Sequence, residues 1–547
     1  MNYILGISAF YHDSSAALIG NGDIISAVQE ERFTRVKHDN RFPYKSIKYI
    51  LQNSNLKLEN LSAIVFYEKP FLKFERLLET YVAFAPKGYR SFSASIPIWL
   101  KNKLFQKKLI LDELKKIDKS FVDNKKLKFS EHHLSHAASA FYPSPFEDAI
   151  ILTLDGVGEW ATTTLSRGSK NSIEILEEIH FPHSLGLIYS AFTFYLGFKV
   201  NSGEYKVMGL APYGEPKYKN LILDNLIDVK NDGSFRLNMD FFDYATGLEM
   251  INHKFENLFK RKRRSPEAES LDQFHMDIAS SLQLVIEEII LKICKDISKK
   301  FHKPNLCLAG GVALNCVANG KIIESGLFKD VWIQPAAGDS GGSLGAALAY
   351  WHEELKNKRY GIAEDKMKGS YFGPSFTNDE VKKKLDELGA NYKFLEDDQL
   401  NEICAKLVSE GKAVGWFQGK MEYGPRALGN RSIIADPRSD TMQKNLNLKI
   451  KFRESFRPFA PSVLEDKSKE YFKINRSSPY MLITSKISDN LKTEIKDKNL
   501  KGLNMIDQKR SRIQAVTHVD YSARVQTVSK KFNKKFYDLI SRFYKIT

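Results

Sequence analysis

Cysteine is scarce and scattered. The four in 547 residues, Cys294, Cys307, Cys316 and Cys404, form no C-x2-C pair, which excludes a disulfide framework and a zinc ribbon. No uninterrupted apolar run approaches the ~18 residues that span a bilayer. Met1-Asn2-Tyr3-Ile4-Leu5-Gly6 has no basic segment leading into an apolar signal core. Short-period repeats and long low-complexity stretches are also missing. These absences point to a cytoplasmic chain with no membrane partner.

The composition is that of a globular protein, 43% hydrophobic and 27% charged. At 547 residues it is long enough for two or three domains, each with its own core. The net charge of +16 is mostly diffuse lysine, with local runs at 260–264 and at Lys530-Lys531 and Lys534-Lys535. Such runs read as solvated faces or loops. Nucleic acid is therefore not the favoured partner, and anionic phosphorylated substrates account for a positive field equally well.

The most informative segment is Glu131-His132-His133-Leu134-Ser135-His136-Ala137-Ala138, followed by an apolar run ending in Asp155-Gly156-Val157-Gly158. On a helix, His132 and His136 share one face one turn apart, within reach of a single ion. Asp155 stands where a buried strand ends and a glycine turn begins. Two histidines with one or two carboxylates suit Fe(II), Mn(II) or Zn(II). The competing reading is a helix with exposed histidines beside an ordinary core strand.

Elsewhere the pattern alternates strands, glycine turns and helices. Residues 3–8, 15–19 and 24–28 read as strands, the last two flanking an Asn21-Gly22 hairpin turn. Residues 149–155 and 161–166 form a second strand pair. Ile278, Leu282, Val285, Ile289 and Ile293 predict a long amphipathic helix over 271–301. Strand–glycine–helix junctions follow at Gly310-Gly311 and at Gly338-Asp339-Ser340-Gly341-Gly342. The fold class is α/β, with ligands at strand ends. The Gly338 string matches a chymotrypsin-like nucleophile motif, but those proteases are all-β and disulfide-bonded.

These strings resemble the O-carbamoyltransferases of the nodulation and antibiotic-tailoring type. The resemblance is carried by His12-Asp13-Ser14-Ser15-Ala16-Ala17, the His132 string, Leu154-Asp155-Gly156-Val157-Gly158-Glu159-Trp160 and Gly203-Glu204-Tyr205-Lys206-Val207-Met208-Gly209. It continues through Gly310-Gly311-Val312-Ala313-Leu314-Asn315, the Gly338 string, Tyr423-Gly424-Pro425-Arg426-Ala427-Leu428-Gly429-Asn430-Arg431-Ser432 and Phe452-Arg453-Glu454-Ser455-Phe456-Arg457. It implies a carbamoyl-transfer domain over 1–365, similar to the threonylcarbamoyl-transferases of the actin–sugar kinase superfamily. A smaller α/β domain over 366–547 resembles threonylcarbamoyl-adenylate synthase.

The implied chemistry converts carbamoyl phosphate and ATP, as its Mg2+ complex, into carbamoyl-adenylate. The carbamoyl group then passes to a hydroxylated acceptor and AMP leaves. By position in the family strings, His132, His136, Asp155 and Asp339 are the metal ligands, with Fe(II) preferred over another divalent metal. His12 and Lys37 fall at the transfer site, as general base and as a charge steadying carbamoyl or phosphate oxygens. Gly156, Lys206, Gly310 and Gly311 fall at the nucleotide. Arg426, Arg431, Lys451, Arg453 and Arg524 are implied for carbamoyl phosphate or ATP in the smaller domain, with Lys451 and Arg453 of the K-x-R element one strand face apart.

Two other readings stand beside this one, a tRNA threonylcarbamoyl-transferase-like enzyme and a nucleotide-binding regulatory protein with an inactive site. The chain also departs from the family. The partner element of K-x-R, an Asn-Thr-Ser-Phe-Asn string, does not occur, and the sequence stops at Thr547 about where relatives run on. Phe532, Phe536, Leu539, Ile540 and Phe543 recur at helical spacing with no following strand to cover them. A C-terminally truncated smaller domain is the expectation. The acceptor and the oligomeric state are not legible.

Overall fold

The computed structural model describes residues 1–102, 105–361, 363–495, 497 and 499–547. They divide into two units, Met1–Met367 and Lys368–Thr547. No helix among them is long and apolar enough to cross a membrane.

Unit 1 holds two five-stranded sheets built on one plan. In the first, β1 (Tyr3–Ser8), β2 (Ser15–Gly20) and β3 (Asp23–Gln29) run antiparallel. Then β4 (Leu61–Phe66) and β5 (Leu127–Phe129) add in parallel on the other side of β1, giving the order β3-β2-β1-β4-β5. In the second, β6 (Asp148–Leu154), β7 (Ala161–Ser169) and β8 (Ser172–His180) are the antiparallel trio. A small ribbon, β9 (Ile227–Val229) with β10 (Phe235–Leu237), intervenes in the chain. β11 (Leu306–Ala309) and β12 (Val331–Ile333) then add in parallel beside β6. Three antiparallel strands followed by two parallel additions, twice over, is the α/β plan of the actin–sugar kinase fold.

Local chemistry explains the elements. Asn21 (φ 50°) and Gly22 (φ 88°) make the left-handed turn that a tight hairpin needs. The long helix spans Gln273–Lys300 and opens on Asp272, whose side chain accepts from the His275 amide. Its buried stripe includes Ile278, Leu282, Val285 and Ile289.

The duplication also explains the site. Each sheet is followed by a helix after its fifth strand, His132–Phe141 in the first and Asp339–Ala349 in the second. These two helices cross backbone to backbone: a Cβ on Gly345 would lie 1.7 Å from the Ser135 carbonyl oxygen. The Ser15 hydroxyl donates to the Ser340 carbonyl at 2.7 Å, tying the second helix to β2.

In unit 2, β13 (Val414–Phe417) pairs antiparallel with β14 (Arg431–Ile434). β15 (Ser462–Leu464) pairs in parallel with β18 (Gln526–Val528), and β16 (Thr484–Lys486) antiparallel with β17 (Ser522–Arg524). Helix Lys534–Ile546 corrects one expectation. Its apolar face is covered: Phe536 and Leu539 are buried with Cys404, Ala405, Trp416 and Val528, while Ile540 and Phe543 pack at the edge. The cover is helix Asp397–Ser409 and β13, distant in sequence, rather than a following strand.

Candidate metal and transfer site

His132 and His136 are buried, which removes the exposed-histidine reading. Their Nε2 atoms lie 3.1 Å apart. Asp155 Oδ2 is 3.2 Å from His132 Nε2 and 3.9 Å from His136 Nε2; Asp339 Oδ1 is 3.8 Å and 3.7 Å from the same pair. One donor atom from each of the four side chains lies within 4.8 Å of every other. Bonds of about 2.1 Å to one ion set donor atoms about 3.0–3.5 Å apart, so a small contraction brings this cage onto a divalent metal.

Three of the four candidate ligands, His132, Asp155 and Asp339, have a hydrogen-bonded anchor. The His132 amide donates to Glu159 at 3.0 Å, and Glu159 also accepts from the Lys69 amide at 2.7 Å. Asp155 follows β6, and its Oδ1 accepts from the Gly311 amide at 2.8 Å, leaving Oδ2 for the cage. Gly310 (φ 88°) makes that turn; a Cβ there would fall 2.2 Å from the Leu154 carbonyl. Asp339 opens its helix, and the Tyr67 hydroxyl donates to its Oδ2 at 3.5 Å. Among the described residues the buried Nδ1 atoms of His132 and His136 have no hydrogen-bond partner, so helix packing rather than back-side hydrogen bonds sets the ring orientations.

The electrostatics favour positive charge at the centre. Burial pushes His132 down, but the hydrogen bond to Asp155 and the charges of Asp339 and Glu159 overcome it and raise the group to about 9. Asp155 and Asp339 are held below the usual carboxylate range despite burial, by the His132 hydrogen bond and by His12 respectively. His133 is instead driven well down by burial and by His132, and packs with its Nδ1 2.8 Å from the Thr153 hydroxyl.

His12 stands beside the cage, its Nε2 3.6 Å from Asp339 Oδ2. Asp13 (φ 52°) accepts from His12 Nδ1 at 3.0 Å and from His38 Nδ1 at 2.9 Å. A carboxylate can only accept, so Nδ1 of His12 carries a proton. Burial pushes the imidazole down, but Asp339 and Asp13 overcome it and raise the group to about 9, and Nε2 is the atom that becomes basic when the ring loses its second proton. Sequence reasoning passed over Asp13, although it sits inside the His12 string. It also passed over Glu159, inside the Asp155 string.

The remaining expected residues fall as follows. Lys37 is exposed, its Nζ donating to the Tyr205 hydroxyl at 3.2 Å. Above Gly156 lies open space, with nothing within 4 Å of a hypothetical Cβ. The Gly311 amide, expected at a phosphate, orients Asp155 instead. Lys206 lies 5.5 Å over the Phe198 ring.

In unit 2, Lys451 and Arg453 are not on a strand. They follow a helical turn, with exposed Phe452 between them at φ 48°. Burial, Arg453 and Arg457 together lower the Lys451 ammonium, which marks a local concentration of positive charge. Arg453 Nε donates to Asn447 at 2.7 Å. Arg431 stacks 3.5 Å over Phe417 and donates to the carbonyls of Gln418, Asn430, Pro374 and Gly419, a structural arrangement. Arg426 lies in the loop before β14, and Arg524 ends β17 opposite Thr484. That loop is wound on a residue the sequence did not flag: buried Glu422 accepts from the amides of Leu428, Asn430 and Arg431 at 2.8, 2.9 and 3.2 Å.

Comparison with known families decides the assignment. A profile described as "Carbamoyltransferase N-terminus" matches residues 3–348, and one described as "Carbamoyltransferase C-terminus" matches 405–547. The chain belongs to the carbamoyltransferase family. It is an enzyme of the transferase class.

An uncharacterised Synechocystis protein is 55% identical to this carbamoyltransferase-family chain, across all of it and 90% of that protein. Nodulation protein NolNO of Sinorhizobium fredii is 35% identical, across 99% of this chain and 73% of its own length. An uncharacterised Methanocaldococcus jannaschii protein is 30% identical, across 100% and 92%. Among solved structures, HypF of T. kodakarensis aligns over 66% of this chain and 50% of its own, at 14% identity and a TM-score of 0.33.

Proposed function

We propose that this carbamoyltransferase-family enzyme makes carbamoyl-adenylate from carbamoyl phosphate, ATP and water, releasing phosphate and pyrophosphate, and transfers the carbamoyl group to a hydroxyl. The observation that supports it most is the buried His132–His136–Asp155–Asp339 cage with His12 at its edge. The carbamoyl carbon is a poor electrophile because nitrogen donates into the carbonyl, and a mixed anhydride with AMP supplies the leaving group it lacks.

A divalent metal, iron by family resemblance, would be held by His132, His136, Asp155 and Asp339 and would supply Lewis-acid polarisation of the oxygen it meets. His12, fixed by Asp13, takes the acceptor's proton as that oxygen bonds to the carbamoyl carbon and the bond to the AMP phosphate oxygen breaks. Lys37 lies on the same side through the loop that carries His38. The open space above Gly156 admits a phosphate to backbone approach, with Gly310 shaping the turn and Lys206 as a further cation. The Lys451–Arg453–Arg457 cluster, with Arg426 and Arg524, would bind the anions of the adenylation half-reaction, using Mg2+ with ATP; Arg431 would stiffen their loop.

The two half-reactions separate the roles. Lys451→Ala is expected to abolish pyrophosphate release while sparing transfer from supplied carbamoyl-adenylate, and His12→Ala to do the reverse. Equal loss of both activities in two folded variants would mean one composite site and end this division of labour.

A further inference from the structure

A cavity in unit 1, of about 470 Å3, has none of the cage residues in its lining. Its lining combines Phe194, Phe198 and Leu248 with Lys199, Arg263 and Glu249. The cavity is largely open to solvent, and its volume is in the range that takes a small organic ligand.

The stretch that forms its wall is also held to the transfer side. Lys199 is two residues from Asn201, whose amide nitrogen lies 3.5 Å from the Tyr11 hydroxyl, and Tyr11 directly precedes His12. Tyr205, four residues further on, accepts from Lys37. One short segment thus shapes the cavity and touches both the neighbour of His12 and Lys37 itself.

The chemistry is an apolar floor under a rim that carries two cations, Lys199 and Arg263, and one acid, Glu249. In the basic run 260–264, Arg261 pairs with Asp272 and Glu269. Arg264 donates to the Leu196 and Glu269 carbonyls. Arg263 differs: its Nε donates to the Phe194 carbonyl at 3.1 Å, and its guanidinium lies 3.7 Å over the Phe194 ring. Among the described residues no carboxylate forms an ion pair with that guanidinium, the Glu256 carboxylate accepting from the Arg263 backbone amide instead. A guanidinium fixed on an aromatic ring at a pocket mouth, with Lys199 exposed beside it, suits a phosphate. The aromatic and aliphatic floor suits the C–H face of a ring.

We propose that this cavity is the acceptor subsite and that it takes a hydroxylated ring compound bearing a phosphate, the class of a sugar phosphate. The assignment rests on the O-carbamoyl transfer reading. The test is calorimetric titration of the full chain, without ATP or carbamoyl phosphate, using N-acetylglucosamine 1-phosphate and glucose 6-phosphate against neutral N-acetylglucosamine. At least one phosphate is expected to bind saturably and the neutral sugar not at the same concentration. Arg263→Gln is expected to weaken binding about tenfold or more, the loss of one charge-assisted contact. Leu248→Trp fills the cavity from a position that is 80% exposed, so folding is spared, and is expected to weaken binding as well. No phosphate binding, equal binding of neutral sugar, or wild-type affinity in both variants would overturn the proposal. Because no nucleotide is present, a failure here with pyrophosphate release intact removes only the acceptor subsite, and the reverse outcome removes only the adenylate chemistry.

Discussion

Replacing Gly345 with alanine tests whether the cage depends on two helices meeting backbone to backbone. The added Cβ would lie 1.7 Å from the Ser135 carbonyl oxygen and 3.0 Å from Ser139 Cβ. A carbon–oxygen contact needs roughly 3.2 Å, so the helices must part by about 1.5 Å or distort. Ser135 sits between His132 and His136, and Asp339 opens the other helix, so parting them widens the 3.7 and 3.8 Å separations between Asp339 and the imidazoles. Overpacking of this kind costs about 3 kcal/mol, against about 1 kcal/mol gained from alanine's helix propensity. The net loss of ~2 kcal/mol should lower the urea midpoint, and the displaced carboxylate should cut bound metal well below stoichiometry. The assay is urea unfolding with elemental analysis of protein equilibrated with Fe(II) under anaerobic conditions. Gly338→Ala is the companion, since its Cβ meets only Leu314 Cδ1 at 3.8 Å. A Gly345→Ala protein with wild-type midpoint and metal content would refute the close crossing.

Other outcomes follow from single contacts. The His132→Ala/His136→Ala double variant should lose stoichiometric metal and transfer together, while metal retained in it would place the ion elsewhere. His352 stacks 4.2 Å from Tyr142, its Nδ1 donates to the Asn357 carbonyl, and burial, with Arg359 and Lys366 nearby, pushes it down to about 4. The unfolded chain therefore binds a proton here that the folded chain refuses, so stability falls as pH drops from about 6.5 toward 4. The loss is about 2 kcal/mol by pH 5. His352→Gln should remove that share of the slope in urea midpoints across pH 8 to 5; an unchanged slope would reject the assignment. Glu422→Ala leaves three amides without their acceptor and should cost about 2–4 kcal/mol, with faster hydrogen exchange over 423–431, whereas Glu422→Gln, which keeps an acceptor oxygen, should be milder.

Local pattern was enough for the parts of this protein whose physics is local. The Asn21-Gly22 turn, the stripe of the long helix and the i,i+4 histidine pair follow from near neighbours, and their shapes could be read directly. The order of the strings also carried the family. What only the tertiary structure decided is which separate pieces meet. Glycines at 345 and 310 let backbones approach closely enough that Asp339, 203 residues beyond His136, reaches the same cage. Asp13, Glu159 and Glu422 had no legible role because a carboxylate's work is set by the amides and imidazoles folded against it. The strand placement of the K-x-R pair was misread for a related reason, since a left-handed Phe452 has no signature in residue type. The terminal helix was misread as bare because its cover comes from residues 397–417. Periodicity shows that a face needs burial; only the fold shows what buries it.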